Sequence, residues 1–300
     1  MVQLTRALEQ VATLPATPAL RREQIKLQVA LITPVIHVKG YAAPETKAAI
    51  ERARALIEQA EALGEPAEPL LLFSVLYGSW AANFVAFNGD VMRELAAQFL
   101  ALAEKQGTTA PLLIAHRVTG ISLLHTADIA ESRKHFDRTN ALYDPAEHRP
   151  LATRFAVDAR VSVLSYRSWA LWLLGYPDAA LGDADQALRD AREIGHAATL
   201  MFALALAPQA HFLSANYATT TAATDELAAL ANEKGALFWK ASGIMRRGWL
   251  FAVTGKAADA VQMITSGIAA RQSTGSTVYL PFSLSHLAMA HAELCQFDDA

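Results

Sequence analysis

Between Pro177 and Ile194 the apolar positions are Ala180, Leu181, Ala184, Ala187, Leu188, Ala191 and Ile194. Asp178, Asp183, Asp185, Arg189, Asp190 and Arg192 fall largely between them. This is the i, i+3, i+4, i+7 stripe of an amphipathic helix. Other stretches carry no charge over their whole length, notably Leu70–Gly89 and Ile194–Thr224. Each is long enough to cross a bilayer. The first, however, holds Ser74, Ser79, Asn83 and Asn88, and the second holds Pro208, Gln209, His211, Ser214 and Asn216. Both suit the inner helix of a packed pair, buried on most sides, and no membrane span is expected. No stretch is strand-like.

Short turns precede the amphipathic helices in a regular series. Their middle residues are Gly89, Ala127, Gly175, Ala215, Gly255 and Cys295, at spacings of 38, 48, 40, 40 and 40. A second series follows the first. Gly195, Gly235 and Gly275 each close a helix 20 residues after a turn, and Gly107 does so after 18. Glycine just past a last helical turn takes the left-handed conformation without strain. Each unit therefore predicts helix A, a tight turn, helix B and a glycine stop. Small residues seven positions before the turns (Ala82, Gly120, Ser168, Gly248 and Ala288) predict close approach of the two helices. Pro208 occupies that slot in one unit and predicts a bent helix A there.

The segment Leu174-Gly175-Tyr176-Pro177-Asp178-Ala179-Ala180, followed by Ala187-Leu188, resembles the tetratricopeptide (TPR) repeat. Gly255 with Ala260, and Phe297 with Ala300, match in part. The period near 40 exceeds that repeat's usual length and predicts longer helices. Three further segments carry a narrower resemblance: Lys39-Gly40-Tyr41-Ala42-Ala43-Pro44-Glu45, Ala141-Leu142-Tyr143-Asp144-Pro145 with His148-Arg149, and Leu173-Leu174-Gly175-Tyr176-Pro177. From about Arg6 onward the chain resembles the C-terminal helical region of bacterial multidomain signalling proteins. Those join a class III nucleotide cyclase domain and a signal-transduction ATPase to a TPR-like tail. The resemblance implies that the chain is the tail and that its attached catalytic domains are partners. Phe297-Asp298-Asp299-Ala300 begins a helix B that is not completed, which suggests a fragment of a longer protein.

Composition narrows the picture further. Hydrophobic residues make up 53% and charged residues 18%, a balance for extensive helix-to-helix burial. The net charge is −3 with both signs interspersed, so nucleic acid is not an expected partner. A single cysteine, Cys295, excludes an intrachain disulfide and fits a cytoplasmic location. The N-terminus, with Arg6 and Glu9, lacks the apolar run of a secretory signal. About eight residues are inserted around Tyr143–Arg160. They predict either a loop that touches ligand or a connector that adjusts curvature.

Chemistry-bearing patterns are sparse. His286 and His291 fall on different helix faces, and His116, His125 and His135, nine and ten apart in or near one helical hairpin, suit a buried or solvated structural role better than a metal site. Asp183 with Asp185, Asp225 with Glu226, and Asp298 with Asp299 suit solvated helix surfaces and termini rather than a catalytic pair. There is no Gly-x-x-x-x-Gly-Lys, no Gly-x-Ser-x-Gly and no cofactor motif. No catalytic residue, metal or cofactor is therefore assigned.

The expected fold is all-α: a right-handed solenoid of about six to seven TPR-like hairpins forming one domain over residues 1–300. Stacked A helices would line a concave groove with Asn83, Arg117, Trp169, Trp172, Gln209, Met245 and Trp249. Such a surface can grip a peptide, a protein partner or a small effector through aromatic anchors and hydrogen bonds. The function expected is a non-catalytic interaction or effector-sensing module regulating attached signalling domains. The alternatives are the effector-binding region of a transcription regulator and an α-helical enzyme built on the Asp144–His148 insertion.

Overall fold

One local device makes every hairpin after the first: a residue in the left-handed conformation that reverses the chain between helix A and helix B. The computed structural model describes residues 2–15, 17–66 and 68–298. In it the hairpin turns carry positive φ at Phe87, Ala127, Gly175, Ala215, Gly255 and Cys295. The first member is Phe87 and not Gly89, which already lies in the following helix. This correction moves the first interval from 38 to 40 residues and puts Gly107 at 20 past its turn. The small-residue slot of that unit consequently falls on Trp80 rather than Ala82.

After α1 (Val2–Ala12) come three hairpins: α2 (Pro18–Lys39) with α3 (Pro44–Ala62), α4 (Pro69–Val85) with α5 (Gly89–Gln106), and α6 (Thr109–His125) with α7 (Ile129–Leu142). A short α8 (Pro145–His148) and a 3-10 turn (Arg149–Thr153) interrupt the series. It resumes with α9 (Ala159–Leu173) and α10 (Pro177–Ile194), then α11 (Ala197–Leu206) and α12 (Gln209–Leu213) with α13 (Tyr217–Glu233). The last elements are α14 (Leu237–Val253) with α15 (Ala257–Gln272), and α16 (Leu280–Glu293). The architecture is an all-α, TPR-like solenoid of helical hairpins. Of the C-terminal segment Phe297–Ala300, residues 299 and 300 lie outside the described residues.

The charge-free stretches are inner helices. Almost every residue of α4 and of α11 is buried, and no helix among the described residues is long and apolar enough to cross a membrane. The B helices bury only a stripe, which in α10 is Ala180, Ala184, Ala187, Leu188 and Ala191. Close approach within a pair is real at the glycine slots. A Cβ on Gly120 would come within 2.6 Å of Phe136, and one on Gly248 within 2.7 Å of Ile264. Pro208 divides its A helix into α11 and α12, because it lacks an N–H and its ring cannot follow the preceding turn.

The insertion is exposed over most of residues 144–150 and then turns inward. Its C-terminal part, Phe155, Ala156 and Val157, runs through the interior and is almost wholly buried. Arg154 contributes its carbonyl to Thr33 Oγ1 at 3.1 Å and its guanidinium to Ser74 Oγ at 3.3 Å. The segment thus ties α2 and α4 to the middle of the chain. His148 is buried, and its Nδ1 accepts the Asp144 N–H at 2.8 Å. The pair on which an enzymatic reading would rest is occupied with local structure.

The superhelix closes on itself. The α15–α16 connection, residues 273–279, crosses to the first repeats, where the N–H groups of Thr277 and Val278 donate to Val85 O at 2.9 and 3.1 Å. Thr277 Oγ1 donates to Ala86 O at 2.8 Å. These carbonyls end α4 and have no intrahelical partner. Helix α14 meanwhile touches α2.

Candidate functional site

The A helices and the crossing segment enclose a narrow crevice at the centre of the molecule, with about 50 Å3 of free volume between its side chains. That is below the ~300–1,000 Å3 of ordinary ligand sites, so a ligand there would have to part the walls. One wall comes from α4, as Tyr77, Trp80, Ala81 and Phe84, with Tyr41 beside it. The opposite wall comes from α14, as Phe238, Trp239, Met245 and Trp249. Tyr166 of α9, Phe202 of α11 and Tyr279 of the crossing segment complete it. The rings meet edge to face: Tyr41 with Phe238 at 5.1 Å between centroids, Tyr166 with Trp169 at 5.4 Å, and Trp169 with Tyr279 at 5.8 Å. Such packing suits aromatic quadrupoles and makes a stiff wall.

Three arginines face this apolar space. Arg117, Arg246 and Arg271 are only 1%, 5% and 4% exposed. Arg117 donates from Nη1 to Val157 O at 3.2 Å and from Nη2 to Phe155 O at 3.1 Å. Arg246 Nη1 donates to Gln209 Oε1 at 3.3 Å, and Arg271 Nη1 to Ser242 Oγ at 2.7 Å. Each guanidinium also lies over a ring, 5.0 Å from that of Tyr77, 5.4 Å from that of Trp249 and 4.2 Å from that of Phe238 respectively. Among the described residues, no Asp or Glu lines the crevice. Burial pushes both Arg246 and Arg271 down to about 10, so they stay charged at neutral pH. It also raises the Tyr279 and Tyr166 hydroxyls, which remain neutral.

The residues expected to line a groove divide into three groups. Arg117, Met245 and Trp249 line the crevice. Gln209 and Trp169 stand just behind it: Gln209 holds Arg246, and Trp169 Nε1 donates to Leu206 O at 2.8 Å, joining α9 to α11. Trp172 Nε1 donates to Ser214 Oγ at 3.2 Å near the surface, and Asn83 is held at the α4–α5 turn by Ser79 O and Asn88. Neither Trp172 nor Asn83 lines the crevice. For Asn83 the cause is the displaced register, since the positions equivalent to Arg117 and Ile121 are Tyr77 and Ala81. The tyrosines, Arg246 and Arg271 escape a reading of one position per repeat. Arg271 and Tyr279 come from the end of a B helix and from a connection, and only the closure of the superhelix brings them inside.

The other sequence candidates have structural partners. Asp183 and Asp137 both bind Arg167, tying α10 and α7 to α9. Asp185 accepts from His211 Nε2 at 2.9 Å, and Asp225 pairs with Arg247. His116 and His135 face each other with Nδ1 atoms 3.0 Å apart. Burial lowers His125 to about 4 and keeps it neutral beside Tyr166 and Tyr279. No group of residues suited to hold a metal occurs among the described residues.

Neither a protein-family model nor a curated protein matches the sequence. In three dimensions the chain is similar to a Rap protein solved in complex with competence and sporulation factor. The TM-score is 0.67 at 12% identity, over 98% of this chain and 80% of that one. The apo form of RapI also matches, with a TM-score of 0.48 at 10% identity over 91% of this chain and 72% of that one. At 12% identity the first of these likenesses speaks for the fold, and it agrees with a TPR-like solenoid.

Proposed function

We propose that the chain is a non-catalytic regulatory module whose central crevice takes a peptide or small effector. The observation that carries this reading is the closure of the superhelix around an aromatic space. A ligand there would meet α4, α6, α9, α11 and α14 together, along with the crossing segment that joins the two ends. Binding energy gained in the crevice would therefore bias the curvature of the whole solenoid, which is what an effector needs in order to shift a conformational equilibrium. The similar Rap protein holds competence and sporulation factor in its solved complex, which supports a signal-binding role on this fold. The signalling domains regulated would be attached or partner domains of the nucleotide cyclase and ATPase kind, as the Lys39–Glu45, Ala141–Arg149 and Leu173–Pro177 segments suggest. The module would act in the cytoplasm. Met245 and Trp249 are the proposed contacts, with Arg117, Trp169 and Gln209 shaping the wall behind them.

The test is selection of displayed random heptapeptides on the immobilised chain. Ligands recovered on the wild type are expected to bind Trp249→Ala and Met245→Ala variants at least about tenfold more weakly, the loss for one buried anchor worth about 1.4 kcal/mol or more. Asn83→Ala and Trp172→Ala should bind them normally. Ligands indifferent to the crevice variants, at unchanged helical content, would remove the crevice from the reading.

A further inference from the structure

We infer that the Arg246–Arg271 end of the crevice is a carboxylate site, holding the anionic group of a ligand whose body is apolar or aromatic. The inference rests on the crevice being a binding site and adds the chemistry of what it takes. Two guanidinium groups sit in the same apolar space, each at most 5% exposed, and no carboxylate among the described residues lines that space. Their protein partners are neutral and few: Gln209 Oε1 for Arg246 and Ser242 Oγ for Arg271. Arg271 Nη2 is buried with no hydrogen-bond partner among the described residues, and so are the indole N–H groups of Trp239 and Trp249. Buried charges in proteins are ordinarily paired, and buried donors are ordinarily satisfied. Here two positive charges and several unpartnered donors belong to the lining of one apolar space that holds no acceptor of opposite sign, while ion pairs such as Arg167–Asp183 lie elsewhere.

The third arginine clarifies the other two. Both Arg117 Nη groups are spent on the carbonyls of Val157 and Phe155, so that cation has a structural occupation. Arg246 and Arg271 each make one hydrogen bond, to a neutral side chain. The lining around them sets the body of the ligand: Phe238, Trp239 and Trp249 offer ring surface, with few polar atoms besides the donors. A phosphate ester carries up to two charges and three strongly hydrated oxygens. A carboxylate, with one charge and two oxygens, matches a planar guanidinium flanked by single N–H donors. Its source can be a free organic acid or the C-terminal residue of a short peptide, since the recognised group is the same.

The experiment is titration of the full chain, followed by tryptophan fluorescence and thermal melting, with matched pairs of probes. The pairs are phenylacetate with phenylacetamide, indole-3-acetate with its amide, and the peptide Ala-Ala-Leu-Phe with a free or an amidated C-terminus. Phenyl phosphate is the competing anion. The expected result is binding of the carboxylates with their amides about tenfold to a hundredfold weaker, as for loss of a charge-assisted bond. The pair with the larger ratio identifies the source. Arg271→Met should abolish the acid-over-amide preference without lowering the melting temperature of the free protein, and Arg271→Lys should keep part of the preference. A structural arginine would give the opposite pattern: a lower melting temperature in Arg271→Met and an unchanged ratio. Equal affinity for acids and amides would overturn the carboxylate site and leave the crevice reading intact. Tighter binding of phenyl phosphate would overturn the choice of anion. Binding of no probe would overturn the inference, while the displayed-peptide selection decides the crevice reading separately.

Discussion

The six hairpin turns set one backbone conformation against different side chains. Gly175 adopts it at φ 86, with nothing within 4 Å of where a Cβ would stand, whereas Ala215 adopts it at φ 58. For a residue with a Cβ this conformation costs about 1–2 kcal/mol. Gly175→Ala should therefore destabilise by about 1 kcal/mol through strain alone, since no clash accompanies it. Ala215→Gly should gain less, about a few tenths of a kcal/mol, because the freer unfolded glycine chain offsets part of the relief. Urea denaturation midpoints of the two variants check both signs, and a loss of stability in Ala215→Gly would refute the strain account. The same slot shows what is legible at this scale. Where it holds Gly, Ala or Cys the 40-residue interval is readable. In the first unit the neighbouring Gly89 draws the register two residues away from Phe87, because nothing about a phenylalanine announces a positive φ. That displacement alone misplaces Asn83.

At the scale of elements, the helices and their pairing follow from periodicity, because B helices such as α10 bury an apolar stripe and A helices such as α4 and α11 are apolar nearly all round. Even the Pro208 break is readable, since its cause is local. The inserted segment is not readable, because its fate depends on groups distant in sequence. Phe155 and Val157 lie in the interior, where Arg117, Thr33 and Ser74 bind the segment. Arg117 thus serves α6 as an anchor for a segment some 40 residues away. Arg117→Met should keep the helix but leave the Val157 carbonyl without a donor, since Phe155 O still accepts from the Val157 N–H, at a cost of about 2 kcal/mol. Limited proteolysis should then cut first between Arg149 and Asp158, while circular dichroism at low temperature stays near that of the wild type. Equal protease resistance of variant and wild type would show that the segment is held by its apolar side chains alone.

For the whole molecule, the decisive feature is closure, and it depends on a contact as small as a hydrogen atom. A Cβ on Gly275 would lie 2.6 Å from Ala42 O, a backbone atom that cannot step aside, and Gly40 allows the same approach from the other side, 3.0 Å from Thr274. The crossing segment then delivers Tyr279 and, through the end of α15, Arg271 to the crevice. A repeat count cannot foresee this, because solenoid units contact their neighbours and the period says nothing about whether the ends meet. Gly275→Val should lift the segment off α4, free the carbonyls of Val85 and Ala86, and open the superhelix. A compact chain of this length has a radius of gyration of about 19 Å. Small-angle scattering should give a value near that for the wild type and a clearly larger one for Gly275→Val, with faster amide exchange at Thr277 and Val278. Gly175→Val is the control, since it introduces the same branched side chain at a positive φ with open space around it. It should lose stability without expanding. If both variants expand alike, backbone strain rather than the Ala42 contact governs the shape. If neither does, the ends are held together by α14 on α2, and the crossing segment is a passenger on a ring already closed.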